Sequence, residues 1–401
     1  MREPQVKKIR LSILGATGSI GRSAASVAQA FPDLFEVVAL AAGTNVGLLS
    51  DLVSRFRPGF VSVKTDAERA LLIKSLKGLG LGKLPEVGVG EEGLRTAATL
   101  PEADQVLSAV SGALGLLPTF AALAAGKKVA LANKESLVIG GGLLGPNDRE
   151  LISPVDSEHS AVFQALGGSL DASRIRRLVL TASGGPFRGY DAERLKTVTY
   201  EEALSHPNWS MGPKITIDSA TLLNKGFEVI EAHHLFRLPY DSISVVVHPQ
   251  SVIHSLVEYP DGSMIAQLGP TDMRLAIAYA LTNPTRLPLL DNKGLAGYAP
   301  FPFDKSLSFE EPDRKVFRAL ALAEAAGRRG GSAPAILNAA GEVAVSAFLA
   351  KRIPFHAITD VLEDCLGKIP VVPIKSLEDA LAADKDARGY AEARIPKYQN
   401  R

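Results

Sequence analysis

Three carboxylates, a lysine and several hydroxyl or amide side chains stand in two short stretches, Asp156-Ser157-Glu158 and Asn224-Lys225-Gly226-Phe227-Glu228. Carboxylate oxygens suit a hard divalent cation such as magnesium or manganese, whereas a lysine among neutral donors suits phosphate. In an extended or turning segment, residues two apart point to one side, so Asp156 and Glu158 can face one cation. Each group also has a plainer role. Asp156 or Ser157 can cap a helix running from His159 to Leu166, and Glu228 can lie on the solvated face of a helix over residues 227–236. The three gain weight as a set.

Upstream stands Gly15-Ala16-Thr17-Gly18-Ser19-Ile20-Gly21, a G-x-x-G-x-x-G run between a strand-like and a helix-like segment. Glycines there permit a tight turn and let backbone N–H groups approach a pyrophosphate. The next strand ends in Ala41-Ala42-Gly43-Thr44-Asn45, with no acid to bind ribose hydroxyls, which favours NADP over NAD. No arginine or lysine sits there either, so Thr44, Asn45 or a more distant cation must hold a 2′-phosphate. Together these features point to a metal-dependent oxidoreductase acting on a sugar phosphate.

Other segments offer polar groups at turns. Ala132-Asn133-Lys134-Glu135-Ser136 follows a strand and reads equally as ligand-binding edge or helix start. Thr181-Ala182-Ser183-Gly184-Gly185-Pro186-Phe187 is a strand followed by a glycine turn with a hydroxyl, suited to a phosphate oxygen or to a plain loop. His206-Pro207-Asn208-Trp209-Ser210-Met211-Gly212-Pro213 carries the single tryptophan, either in a mobile lid or as a buried anchor. The histidines at 233–234 and at 248 and 254 lack the i, i+4 spacing of a helical zinc site, and His248 reads as structural or as a support behind ligand-touching residues.

The elements that must carry these groups are predicted as α/β. Ile9–Leu14, Phe35–Ala42, Gly59–Val63, Gln105–Ala109 and Lys128–Leu131 read as strands alternating with helices, a Rossmann-like domain over residues 1–150. Residues 151–286 read as an α+β catalytic domain with a second sheet built from Ile175–Thr181, Ile243–His248 and Met264–Leu268. A Pro/Gly/Asp-containing linker follows over 287–311, then an α-helical bundle domain over 312–401. Within it, Pro312 is expected to open a helix and Gly327 to stop it, with further helices over 335–350 and 355–366 and a capping box at Ser376-Leu377-Glu378-Asp379.

At 401 residues and 46% hydrophobic, the chain has material for two or three cores. A net charge of +1 argues against a large nucleic-acid footprint. One cysteine, Cys365, excludes an intrachain disulfide and a thiolate zinc site. The polar, basic start and the lack of a long apolar run predict a cytoplasmic protein with no membrane span.

The order of Val155-Asp156-Ser157-Glu158-His159, Ser183-Gly184-Gly185-Pro186-Phe187, His206-Pro207-Asn208-Trp209 and Asn224-Lys225-Gly226 resembles the 1-deoxy-D-xylulose 5-phosphate reductoisomerases of the non-mevalonate isoprenoid pathway. The likeness extends over essentially the whole chain. It implies a cation (Mg2+ or Mn2+, or Co2+) held by Asp156, Glu158 and Glu228, with Lys134 and His206 also catalytic. It implies a substrate phosphate among Ser183, Ser219, Asn224 and Lys225 with His206 closing over it, and a sugar portion touched by Lys134 and Ser157. NADPH would be lined by Thr17, Gly18, Ser19, Ile20, Gly43, Thr44, Asn45, Asn133, Glu135 and Gly212, and the assembly would be a homodimer. The implied reaction rearranges 1-deoxy-D-xylulose 5-phosphate by retro-aldol cleavage and re-addition, and NADPH then reduces the branched aldehyde to 2-C-methyl-D-erythritol 4-phosphate. Two positions depart from the family pattern. Thr44 replaces a basic residue, and Gly341 replaces an asparagine, which should affect helix stability more than activity. An aspartate-semialdehyde-type dehydrogenase shares the Gly-Ala-Thr-Gly start but needs a cysteine nucleophile at a strand end, where this chain has none. A catalytically silent NADPH sensor would have no need of the metal ligands.

Overall fold

The computed structural model describes residues 7–209, 211–300, 303 and 306–399. Ser210 of the tryptophan segment, and 301–302 and 304–305 of the expected linker, lie outside the described residues. The chain forms two compact units. One comprises Met1–Asn133, Gly145–Ser160 and Asp272–Pro300; the other comprises Lys134–Leu144, Ala161–Thr271 and Phe301–Arg401.

In the first unit, β1 (Ile9–Leu14), β2 (Phe35–Ala41), β3 (Phe60–Val63), β4 (Glu86–Val89), β5 (Gln105–Ser108), β6 (Lys128–Leu131) and β7 (Ile152–Pro154) form a sheet in the order β4-β3-β2-β1-β5-β6-β7. Every pairing is parallel. Between them run α1 (Ser19–Ala30), α2 (Val46–Phe56), α3 (Asp66–Gly78), α4 (Gly90–Thr99) and α5 (Leu116–Ala124), with α7 (Pro146–Glu150) before β7. β1 is buried on both faces, as a parallel strand covered by helices must be. Its one polar inward residue, Ser12, donates to the Ala97 carbonyl at 2.7 Å, which removes the penalty of a buried hydroxyl. β4 and β7 are not evident from the sequence, being short and, for β4, half-buried at the sheet's edge. A late segment completes this core. Ile277, Ala278, Ala280 and Leu281 of α13 (Met273–Thr282) join the cluster of Leu11, Ile13, Leu40 and Leu107.

The second unit holds β8 (Arg177–Ala182), β9 (Ile243–Val247), β10 (Ile253–Glu258) and β11 (Met264–Leu268) in the order β11-β10-β8-β9, with β8 and β9 parallel and β10 antiparallel to both neighbours. Its helices are α6 (Glu135–Gly140), α9 (Ala192–Leu195), α10 (Tyr200–Ala203), α11 (Pro213–Ala220), α12 (Leu223–Phe236), α14 (Arg318–Arg329), α15 (Ala333–Leu349), α16 (Ala357–Lys368) and α17 (Leu377–Arg394). The remaining helix, α8 (Ser157–Ala165), begins in the first unit and ends in the second. Three of the second sheet's strands match their expected positions, and β10 is additional.

The helix expected from Pro312 to Gly327 is displaced. Asp313 instead makes a turn, its carboxylate accepting from the backbone of Lys315 and Val316, and α14 starts at Arg318. Gly327 does not stop it. It lies inside the helix, where a Cβ would stand 2.6 Å from the Tyr240 hydroxyl, so the glycine answers to packing; the stop falls at Gly330 with φ +65°. The capping box at Ser376 and Asp379 forms as expected. Gly341 sits in α15 where a Cβ would meet Leu223 Cδ2 at 2.9 Å, so its smallness serves α12–α15 packing. Among the described residues no helix is long and apolar enough to cross a membrane.

Candidate active site

In the first unit the turn between β1 and α1 is built for backbone exposure. Gly15 has φ +81°, and a Cβ on it would lie 2.3 Å from the Ala109 carbonyl; one on Gly21 would lie 2.3 Å from that of Gly15. Helix α1 opens at Gly18 with no side-chain cap and no acid in its first turn, which leaves a positive helix end to meet an anion. Strand order reverses at β1, with β2 on one side and β5 on the other, where open α/β sheets bind ligands. Thr17, Gly18, Ser19 and Ile20 lie on this turn.

After β2, Gly43, Thr44 and Asn45 are exposed, and Asn45 Oδ1 accepts from the Leu48 N–H at 3.1 Å as the cap of α2. Asn133 is buried and braces a neighbouring loop, donating to the carbonyls of Val110 at 2.7 Å and Gly112 at 3.0 Å. Asp156 directly precedes α8, and Glu158 lies in that helix's first turn, bonded to the Ser157 hydroxyl. Cap position and carboxylate pair thus coincide here. His159 is fully buried, its Nδ1 3.8 Å from Asp156 Oδ2.

The second unit gathers the other predicted groups. At the start of α12, Leu222 takes a left-handed conformation and caps nothing. Beyond it, Lys134 Nζ donates to Asn224 Oδ1 at 2.6 Å and to Glu228 Oε1 at 3.3 Å, Asn224 Nδ2 donates to Glu228 Oε1 at 2.5 Å, and Lys225 pairs with Glu228 Oε2. Glu228 is fully buried, and both lysines are nearly so. Two ammonium groups and an amide thus meet the Glu228 carboxylate in a buried setting. Gly226 has a packing role within this motif, since a Cβ on it would stand 2.3 Å from Ala323 Cβ on α14.

A second group lies at the end of β8. Gly184 and Gly185 have φ of +84° and +68°, and a Cβ on Gly185 would stand 3.0 Å from the Ser219 carbonyl, so the glycine turn lies against α11 beside Ser219. Ser183 Oγ is 2.9 Å from His206 Nε2. His206 Nδ1 accepts from the N–H groups of Trp209 at 3.0 Å and Asn208 at 3.2 Å, which puts the ring proton on Nε2, facing Ser183. Burial holds the His206 pKa below its ordinary value. Trp209 is half-buried, its ring tilted 6.0 Å from that of His254. Gly212 forms the cap of α11.

Four contributors have roles that the sequence alone did not assign to them individually. Gly185 acts through close approach, and Asn208 anchors its segment by donating to Pro249 O at 2.6 Å and Ser251 Oγ at 2.9 Å. Lys214 and Asp218 form a pair at 2.8 Å, and Lys214 also reaches Glu135 at 3.1 Å. The available signal was a lysine in the first turn of a helix, an unfavourable place for a cation, with an acid four residues on. Histidines 233 and 248 bond to backbone carbonyls of Leu238 and Ser308, and their rings stack on Tyr240 and Phe309.

A family model described as 1-deoxy-D-xylulose 5-phosphate reductoisomerase matches residues 11–141, and models of that enzyme's C-terminal domains match 152–236 and 268–390. The Bacillus subtilis 1-deoxy-D-xylulose 5-phosphate reductoisomerase is 48% identical over 386 residues, 96% of this chain and 98% of the relative. That of Chlorobium chlorochromatii is 51% identical over 390 residues, 96% and 99%. The chain belongs to the 1-deoxy-D-xylulose 5-phosphate reductoisomerase family. Solved reductoisomerases share its architecture. The Zymomonas mobilis protein in complex with NADPH superposes with a TM-score of 0.87 at 41% identity, covering 97% of this chain and 99% of that one. A reductoisomerase in complex with NADPH, fosmidomycin and magnesium does so at 0.88 and 40%, covering 96% and 98%.

Proposed function

We propose that this chain converts 1-deoxy-D-xylulose 5-phosphate to 2-C-methyl-D-erythritol 4-phosphate, using NADPH and a divalent cation, in the non-mevalonate isoprenoid pathway. The observation that carries the reading is the buried group of Lys134, Asn224, Lys225 and Glu228. Burying two lysines and a carboxylate is a poor route to stability, so such a group fits a binding role.

The residues fit both implied groups. Asp156, Glu158 and Glu228 offer oxygen alone, and no sulfur competes, because Cys365 is buried in α16 with its thiol pushed up to about 12 by burial. They hold Mg2+ or Mn2+, or Co2+. The bound cation supplies Lewis-acid stabilisation of developing negative charge. For NADPH, which supplies the hydride, the uncapped start of α1 and the glycine turn meet the phosphates through Thr17, Gly18, Ser19 and Ile20. Gly43, Thr44, Asn45, Asn133, Glu135 and Gly212 line the rest.

Ser183, Ser219, Asn224 and Lys225 bind the substrate phosphate. Neutral His206 donates from Nε2 toward that phosphate and brings its segment down over it, which keeps water from the reacting fragments. Lys134 and Ser157 orient the sugar. Phosphate binding away from the reacting carbons holds the fragments in place between cleavage and re-addition. The protein works in the cytoplasm as a homodimer.

The test is loss of NADPH absorbance on adding 1-deoxy-D-xylulose 5-phosphate, first with magnesium or manganese and then with chelator. Oxidation that depends on the metal is expected. Well-folded protein giving no turnover would overturn the assignment.

A further inference from the structure

Lys214 lies one residue after the proline that opens α11, where the helix dipole opposes a positive charge. Two carboxylates hold it there. Asp218, one turn along, is 2.8 Å away and fully buried, and Glu135, on α6 and 79 residues away in sequence, is 3.1 Å away. The Lys214 pKa lies above its ordinary range: burial opposes this, and the charges of Asp218, Glu135 and Glu342 with the Asp218 hydrogen bond together prevail. Burial pushes the Glu135 carboxyl up, but the charge and hydrogen bond of Lys214, a backbone hydrogen bond and the Lys134 charge together leave the acid below its usual range; Asp218 stays above its usual range because burial prevails.

The placement of this bridge gives it a use. Glu135 directly follows Lys134, whose ammonium touches Asn224 and Glu228, and Asp218 directly precedes Ser219 on α11. One ammonium therefore ties the chain segment bearing Lys134 to the helix bearing Ser219. We propose that Lys214 is a positioning residue: shared between Glu135 and Asp218, it fixes where the Lys134 ammonium stands relative to Ser219 and Asn224. This rests on the function proposed above, in which Lys134 touches the sugar and Ser219 and Asn224 the phosphate.

Loss of the bridge should move Lys134 while leaving the phosphate donors in place. In Lys214→Met, kcat is expected to fall about tenfold with KM for the sugar phosphate changed by less than about threefold, as misplacement of an orienting group does. Lys214→Arg should restore most of the rate, since it keeps a cation between the two acids. The deciding readout is a double-mutant cycle with Lys134→Ala. If Lys214 acts through Lys134, Lys214→Met has little further effect on kcat in the Lys134→Ala background, whereas a merely structural role would lower kcat by the same factor in both. Because Lys214→Met leaves two facing carboxylates, the cycle is repeated with Lys214→Met/Asp218→Asn, which removes one of the charges. Additive effects in both cycles would overturn the inference while leaving the function intact. Absence of metal-dependent turnover in the unmodified enzyme would instead count against the function.

Discussion

The starts of α2 and α12 both carry residues expected to touch a ligand, yet they use them differently. At α2, Asn45 is exposed and caps the helix through the Leu48 N–H, so its presence has a sufficient local reason. At α12 none of the expected ligand residues caps the helix; Thr221 Oγ1 accepts from the Leu223 N–H instead. Asn224, Lys225 and Glu228 turn to one another and to Lys134, in a setting where ionic groups gain little for stability. A polar residue satisfied by its own helix needs no ligand to explain it; a buried group of lysines and carboxylate does.

The largest expected effect, and the most direct attempt to break that contrast, is Glu228→Gln. Turnover should fall by at least about 100-fold and metal affinity with it, as for loss of a charged ligand, while NADPH affinity stays near normal. Two buried lysines would also lose the charge of Glu228, so stability should fall in thermal unfolding, by up to about 3–5 kcal/mol. Lost NADPH binding with unchanged metal affinity would contradict the assignment.

His206 tests the second cluster through pH. Its folded pKa is depressed below 6.5 by burial, so the neutral ring favours the folded form. That contribution is full above 6.5 and is lost as pH falls through the folded value. Protonation at Nδ1 would eject the N–H groups of Asn208 and Trp209. Emission of the single tryptophan should therefore hold steady above pH 6.5 and change only below it. A midpoint above that value would refute the reading.

Asn45 sharpens the contrast from the other side. Asn45→Ala should lower stability by about 1 kcal/mol through the lost cap. Asn45→Asp should keep the cap but weaken NADPH binding relative to NADH, because it adds a charge that repels a 2′-phosphate. Equal cofactor affinities in Asn45→Asp would remove Asn45 from the NADPH site. The smallest effect is expected at Gly341→Ala. Better helix propensity, worth about 1 kcal/mol, is offset by contact with the movable end of Leu223, so unfolding should shift by under about 0.5 kcal/mol with kcat unchanged.

What could be read in advance followed from how locally each feature is determined. β1, α1 and β2 show themselves through apolar runs on either side of a glycine turn, and Ser376 and Asp379 cap α17 across three residues. Gly327 misleads as a helix stop because its smallness answers to Tyr240, far away in sequence. Likewise Asp156 and Glu158 are conspicuous by type, whereas the Lys214–Glu135 bridge depends on two helix starts 79 residues apart and leaves only a misplaced cation as a clue. β10 follows the turn at His248–Ser251 directly, where a histidine-bearing motif masks its strand pattern.

Helix α13 has a consequence for how the protein is made. Its Ile277 and Leu281 pack into a core whose strands are synthesised far earlier. With ribosomes adding about 5–20 residues per second, the roughly 140 residues separating β6 from α13 take on the order of ten seconds to appear. Throughout that interval the nascent parallel sheet presents an unfilled apolar seam. Chaperone occupancy on stalled nascent chains should persist until α13 has left the exit tunnel, and an N-terminal fragment ending after β7 should be sticky and poorly folded.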